Sequence, residues 1–266
     1  MNITKKIINI PNTRNFTYHL FFLGDLHNGN ICFDEQQLKK DVDYIKKKKH
    51  SIVFGMGDYN DCINYLDPRF DPNSTTLKKE DMNNCSYVQT KHLLKLLKPI
   101  QNKFIGFIRG NHEEKILKKY NFDVMEMITD NTGVPCFNDS ALIRLVFKQC
   151  KNLIVYDVFI AHSRTAGRKK GNKLNLLDDI SSNIEADIYV IGHNHNLIAT
   201  KKTKLYLDRG MNIKAKDIIL GTSGSYLKSY EKNASSYIEK TLFPVSSIGC
   251  LEIQIKPRKK EMLTIC

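Results

Sequence analysis

Five short segments of this 266-residue chain carry side chains suited to one kind of chemistry. They are Gly24-Asp25-Leu26-His27, Gly57-Asp58, Gly110-Asn111-His112-Glu113, Ala161-His162-Ser163 and Gly192-His193-Asn194-His195. Asp, Asn and His offer hard oxygens and imidazole nitrogens, the donors that divalent cations take. Each segment follows an apolar run that reads as a β-strand: residues 18–23, 51–56, 104–108, 153–160 and 188–191. In α/β sheets, ligand sites gather at strand ends. Five strands delivering metal-type donors from their ends describe one site with two metals.

The segments must be brought together by the elements between them. Residues 34–48 have helical periodicity, with Leu38, Val42 and Ile45 on one face and Asp34 as N-cap. Residues 87–97 read as an amphipathic helix stopped by Pro99, and 113–120, 123–129 and 174–184 as further helices. Residues 141–147 and 153–160 pair as a hairpin, and 197–207, 217–220 and 250–255 read as strands. Residues 1–17 suit a leading strand or a sheet edge. Residues 62–85 are polar, contain Pro68 and Pro72, and read as an insertion loop over the site with room for a short helix. Helix–strand alternation followed by strands predicts an α/β (α+β) fold with two packed sheets and helices outside. Interleaved donors and 41% hydrophobic content predict one domain over residues 1–266.

The ordered set Asp-x-His, Gly-Asp, Gly-Asn-His-Glu, His and Gly-His-x-His resembles the calcineurin-like metallophosphoesterase superfamily. All five blocks stand in order across residues 24–195. A lone His at a strand end is usually structural or solvated. That reading does poorly for five His, two Asp and an Asn in a family order. The resemblance implies a four-layer α-β-β-α sandwich of two mixed sheets, with a dimetal site at the C-terminal strand ends. It places one metal on Asp25, His27 and His195, another on Asn111, His162 and His193, and Asp58 as the bridge. Two dications about 4 Å apart repel, and a bridging carboxylate and hydroxide offset this. Manganese comes first as the metal, with iron, zinc and nickel open.

The implied function is hydrolysis of phosphate esters, diesters first, by in-line attack of a metal-bridging hydroxide. His112 is expected as general acid or transition-state stabiliser, oriented by Glu113 or another acidic group. Asn111 and Arg164 are expected to contact substrate, Arg164 from a Gly-rich basic stretch after His162. His19, His50 and His92 are expected to be structural, Asp61 to cap a loop, and residues 221–226 to form a tight turn. The segment Asp58-Tyr59-Asn60-Asp61 echoes protein Ser/Thr phosphatases. However, Cys62-Ile63 replaces their Arg-Gly, and the paired-His ending looks more like the diesterase and nuclease branches. Alternatives are a nuclease, a protein or small-molecule phosphomonoesterase, and a metal-dependent binding module that does not catalyse.

The formal net charge of +13 favours anionic partners, including nucleic acid, though the lysines are scattered. Trp is absent, so no stacking platform for bases stands out. Seven Cys without Cys-x-x-Cys spacing, and no secretory leader, fit a cytoplasmic setting. No apolar stretch approaches the roughly 20 residues of a membrane span. Oligomeric state is not readable from the sequence.

Overall fold

The computed structural model of the chain describes residues 1–11, 13, 15–163, 169–231, 237–240, 242, 244–245 and 247–265. Its strands are β1 (Asn2–Asn9), β2 (Tyr18–Leu23), β3 (Ser51–Gly55), β4 (Phe104–Phe107), β5 (Ser140–Gln149) and β6 (Asn152–His162). They continue as β7 (Ile188–Gly192), β8 (Leu197–Leu207), β9 (Ile213–Ser225), β10 (Gly249–Lys256) and β11 (Glu261–Ile265). The helices are α1 (Glu35–Lys47), α2 (Cys85–Leu97), α3 (Asn111–Tyr120), α4 (Val124–Thr132), α5 (Lys170–Asn183) and α6 (Tyr237–Lys240).

One sheet runs β11-β10-β2-β3-β4, with β2, β3 and β4 parallel. The other runs β1-β5-β6-β7-β9-β8, with β6, β7 and β9 parallel and β5-β6 and β8-β9 as hairpins. The two join where Ser225 and Gly224 of β9 pair with Gly249 and Cys250 of β10. β3 and β7 are buried along their whole length, which is why they read as continuous apolar runs rather than alternations.

Three apolar clusters define four layers. Leu20, Phe22, Ile52 and Phe54 meet Ile143, Leu145, Val158, Ile160 and Val190 between the sheets. Phe21, Leu23 and Val53 meet Leu38, Val42 and Ile45 of α1, together with α2, α3 and α4, on one outer face. Phe159, Tyr189, Ile191, Ile218 and Leu220 meet Leu177 of α5 on the other. This is the expected α-β-β-α order. Asp34 caps α1 by accepting from the Gln37 amide at 3.0 Å.

Three elements differ from expectation. α3 begins at Asn111 rather than 113, because Glu113 reaches back to the Gly110 amide at 3.0 Å and closes the first turn. β9 begins at 213 because its first residues continue the ladder with β8. β11 had no strong apolar signal: it is a short edge strand, mostly exposed. Residues 62–85 contain two 3-10 turns, at Pro72–Ser74 and Lys79–Asn84. Six described cysteines are free thiols. Among the described residues, no helix is long and apolar enough to cross a membrane.

Candidate metal centre

The strand ends bring the sequence segments to one place. β2 delivers Asp25 and His27, β3 delivers Asp58, β4 leads to Asn111 and His112 at the start of α3, β6 ends on His162, and β7 leads to His193 and His195. The first two loops are laced by backbone hydrogen bonds. The Asp25 amide donates to Gly57 O at 2.8 Å, and the Leu26 and His27 amides donate to Asp58 O at 2.9 and 3.1 Å. Gly57 stands at φ +90°, and a Cβ there would lie 2.5 Å from His162 Nδ1. Asp25, His27, Asp58, His193 and His195 all have φ between 49° and 76°. Left-handed backbone is costly for non-glycine residues and persists where the surroundings over-determine it.

The side chains form three groups whose candidate ligand atoms lie within 4.8 Å of one another. One is Asp25, His27, Asp58 and His195; a second is Asp58, His162 and His193; a third is His27, Asp61 and His112. In the first, His27 Nε2 and His195 Nε2 face each other at 2.9 Å, with Asp25 Oδ1 3.6 Å from the latter. In the second, Asp58 Oδ2 lies 3.3 Å from His162 Nε2 and 3.8 Å from His193 Nδ1. Asn111 Oδ1 lies 3.2 Å from His162 Nε2. Asp58 belongs to both groups.

These donors fit a cation. Asp58 Oδ2 and His193 Nδ1 are buried and lack a hydrogen-bond partner. Unpartnered buried polar atoms are rare and costly, and a coordinated ion satisfies both. His162 Nδ1 lies 2.7 Å from the Met56 carbonyl, which only accepts, so Nδ1 carries a hydrogen and Nε2 is the nitrogen turned to the site. His27 Nε2 and His195 Nε2, turned toward each other beside Asp25 and Asp58, are a further pair of nitrogens able to share an ion.

The electrostatics follow from burial and crowding. Burial opposes protonation of His162, but the Asp58 carboxylate raises its pKa to about 10. Burial opposes ionisation of Asp58, yet the neighbouring His162 and His112 hold it well below the usual carboxylate range. Burial raises the pKa of Asp25. Burial lowers that of His112, and burial beside His27 pushes His195 well down.

Of the acidic groups expected to orient His112, Glu113 does not do so. Its carboxylate accepts from the amides of Asp58 at 3.1 Å, Tyr59 at 2.8 Å, Asn60 at 3.1 Å and Gly110 at 3.0 Å. It therefore clamps the Asp58 loop to the start of α3. Burial and the nearby Asp58 charge raise its pKa to about 7. His112 is held instead by the Asp61 backbone carbonyl, to which its Nδ1 donates. Asp61 is more than a loop cap: buried, it sits 3.5 Å from His27 Nδ1 and 4.0 Å from His112 Nδ1. Its signal was position alone, three residues after Asp58.

Other neighbours escaped sequence reasoning. Arg69, from the 62–85 segment, places Nη1 3.4 Å from His112 Nε2. Its guanidinium is gripped by Asp67, with Nε at 3.2 Å from Oδ1 and Nη2 at 3.1 Å from Oδ2, and Lys115 holds Asp67 Oδ2 from α3. Residues 221–226 are largely the end of β9, not a separate turn. There Ser223 Oγ donates to Asp25 Oδ2 at 3.0 Å and Ser225 Oγ to Asp25 O at 2.9 Å. Lys173 Nζ, buried, donates to Asn194 O at 2.7 Å and steadies the loop between His193 and His195. Arg164 lies outside the described residues. His19 pairs with Glu252 at 2.6 Å, His92 with Asn28 at 2.8 Å, and His50 packs on Phe16, all as structural residues.

No curated protein matches the chain in sequence. Solved structures similar to it over most of their length have low identity. A predicted phosphoesterase of Streptococcus pneumoniae is 12% identical, with 94% of this chain and 99% of that one covered and a TM-score of 0.37. Zinc-complexed Vps29 of Entamoeba histolytica is 12% identical, with 93% and 97% covered and a TM-score of 0.36. A metallophosphoesterase of Sphaerobacter thermophilus is 8% identical, with 93% and 86% covered and a TM-score of 0.41. Residues 18–210 match the sequence model of the calcineurin-like phosphoesterases. That match spans well over half of the chain and contains all five donor segments; the chain belongs to the calcineurin-like phosphoesterase family, whose members are metal-dependent phosphoric ester hydrolases.

Proposed function

We propose that this protein hydrolyses phosphodiesters in the cytoplasm, as one domain over residues 1–266. Asp25, His27 and His195 would hold one divalent cation and Asn111, His162 and His193 another, with Asp58 shared. Manganese is the first candidate, because mixed oxygen and nitrogen donors without thiolates suit a borderline-hard ion. The observation carrying this reading is the unpartnered Asp58 Oδ2, buried between the donors of both groups. When bound, the two cations supply Lewis-acid charge to the phosphoryl oxygens and acidify the attacking water.

The chain's own residues do the rest. Asp61 fixes the His112 tautomer so that Nε2 faces the substrate side, where it protonates the leaving oxygen or stabilises its charge. Arg69 stands beside Nε2 as a preorganised fork for a non-bridging phosphoryl oxygen. Asn111, at the N-terminus of α3, contacts the same phosphoryl group. Support for diesters comes from the paired-His segment and from Cys62-Ile63 in place of Arg-Gly. A nucleic-acid substrate is the second reading, favoured by the net charge of +13. Free thiols support a reducing compartment.

The test is hydrolysis of bis-p-nitrophenyl phosphate against p-nitrophenyl phosphate, with Mn²⁺ and after EDTA, with metal content measured in parallel. Metal-dependent preference for the diester is expected. Preference for the monoester would sink the diester reading and leave the centre intact. His112→Asn should keep its metal and lose turnover; a variant that turns over normally would remove His112 from the chemistry.

A further inference from the structure

Far from the metal centre, β8 and β9 run on past the body of their sheet. β7 pairs with β9 only at Ile219–Thr222. The ladder Lys202–Leu207 against Ile213–Ile218 is therefore a two-stranded ribbon. Six residues of antiparallel strand project about 20 Å. Residues directly opposite in such a ladder share a face. Leu205 opposes Ala215 and Leu207 opposes Ile213, so beyond the Thr203–Asp217 pair one face is apolar. Lys204 opposes Lys216 and Tyr206 opposes Lys214, so the other is basic and aromatic.

Nearer the body of the sheet, Lys201, Thr203 and Asp217 share that face, with Lys201 Nζ 3.6 Å from Asp217 and Thr203 Oγ1 donating to it at 2.7 Å. Leu197 and Ala199, on the same face of β8, pack against the inter-sheet core. Further out, that face is uncovered: Leu205 is 72% exposed, Leu207 57% and Ile213 72%. The tip is held rather than loose. Asp208 Oδ1 accepts from the amides of Gly210 at 2.9 Å and Asn212 at 3.0 Å. This turn sets Met211 at φ +59° and 78% exposed. A two-stranded ribbon with a bare apolar face has little reason to stand alone in water.

We propose that the ribbon is a docking device for an anionic lipid surface. Leu205, Leu207, Met211 and Ile213 enter the headgroup–acyl boundary. Lys204, Lys214, Lys216 and Arg209 remain at headgroup level, with Tyr206 at the interface. Charge selects this occupant. Lys216 is held by Glu185 and Asp187, each at 3.0 Å, Lys202 pairs with Asp178, Lys204 donates to the Ser181 carbonyl and Lys214 lies 3.9 Å from Asp208, but the ribbon itself still carries more cations than anions, with Arg209 at its tip. A second copy would bring another formal +13 against this one, whereas an anionic bilayer attracts it. Duplex nucleic acid would use the lysines and leave the apolar face in water.

The full chain is sedimented with vesicles of phosphatidylcholine alone and of phosphatidylcholine and phosphatidylglycerol in equal parts. Binding to the anionic vesicles only is expected. The double variants Leu205→Ser/Leu207→Ser and Arg209→Glu/Lys214→Glu should each weaken it about tenfold or more. Diester turnover and the unfolding midpoint report that both variants remain folded. Vesicle binding that neither variant reduces, or no binding at all, overturns the proposal. So does a dimer, seen by light scattering, that the leucine variant dissolves. Duplex DNA binding that the charge variant alone abolishes, with no vesicle binding, overturns it in favour of a nucleic-acid arm.

Discussion

The metal centre and the β8–β9 ribbon invert the usual partition of residues in opposite senses. At the centre, Asp25, His27, Asp58, His112 and His162 are buried polar groups. On the ribbon, Leu205, Leu207, Met211 and Ile213 are exposed apolar ones. Neither arrangement is what burial energetics alone would select. The centre resolves part of its cost internally, through Glu113, Ser223, Asp61 and the Met56 carbonyl, and leaves Asp58 Oδ2 and His193 Nδ1 for an ion. The ribbon has no such internal partner among the described residues. Local departures from the rules of stability mark places where something else is to be bound, and the chemistry of the departure says what.

Four experiments break or sharpen this contrast. The largest effect is expected from Asp58→Asn: hydrolysis should fall by roughly 10⁴-fold, about 5 kcal/mol of transition-state stabilisation, with loss of bound metal and a retained fold. An active Asp58→Asn would mean that the two donor groups do not share a ligand. Glu113→Ala comes next. It leaves four buried amides without their acceptor and should cost about 3 kcal/mol in denaturant unfolding. A cost under about 1 kcal/mol would show that the Asp58 loop does not depend on the clamp.

Asp67→Asn tests the grip on Arg69 through pH. Burial opposes ionisation of Asp67, but Arg69 and Lys115 hold its pKa well below the usual carboxylate range. The folded pKa is thus below the unfolded one. The stabilisation is complete above the unfolded value of about 4 and disappears as pH falls through the folded value. The variant should be about 1 kcal/mol less stable at neutral pH, since water screens the half-exposed Arg69, and should converge with the parent protein in acid. A constant gap across the acid range would assign the effect to packing. The smallest change is expected from Leu205→Ser, within about 0.5 kcal/mol of the parent. A loss of about 2 kcal/mol or more would show that the face is covered within the molecule.

Much of this protein was legible in its residues because the signals are local. Apolar runs mark β2, β3 and β7, a 3.6-residue stripe marks α1, and the five donor segments announce themselves by type and order. The donors converge because β2, β3 and β4 of one sheet and β6 and β7 of the other end at one rim. Tertiary structure decided what depends on approach from elsewhere in the chain. Glu113 turned from His112 to four amides because α3 starts two residues earlier and meets the Asp58 loop. Arg69 reached His112 because the 62–85 segment folds back over α3. β11 formed because β10 offered it an edge. The same alternation of Leu205 and Leu207 would read as core in any strand. Only the end of the opposing sheet leaves it bare, because a sequence records which residues share a face but not what lies across from it.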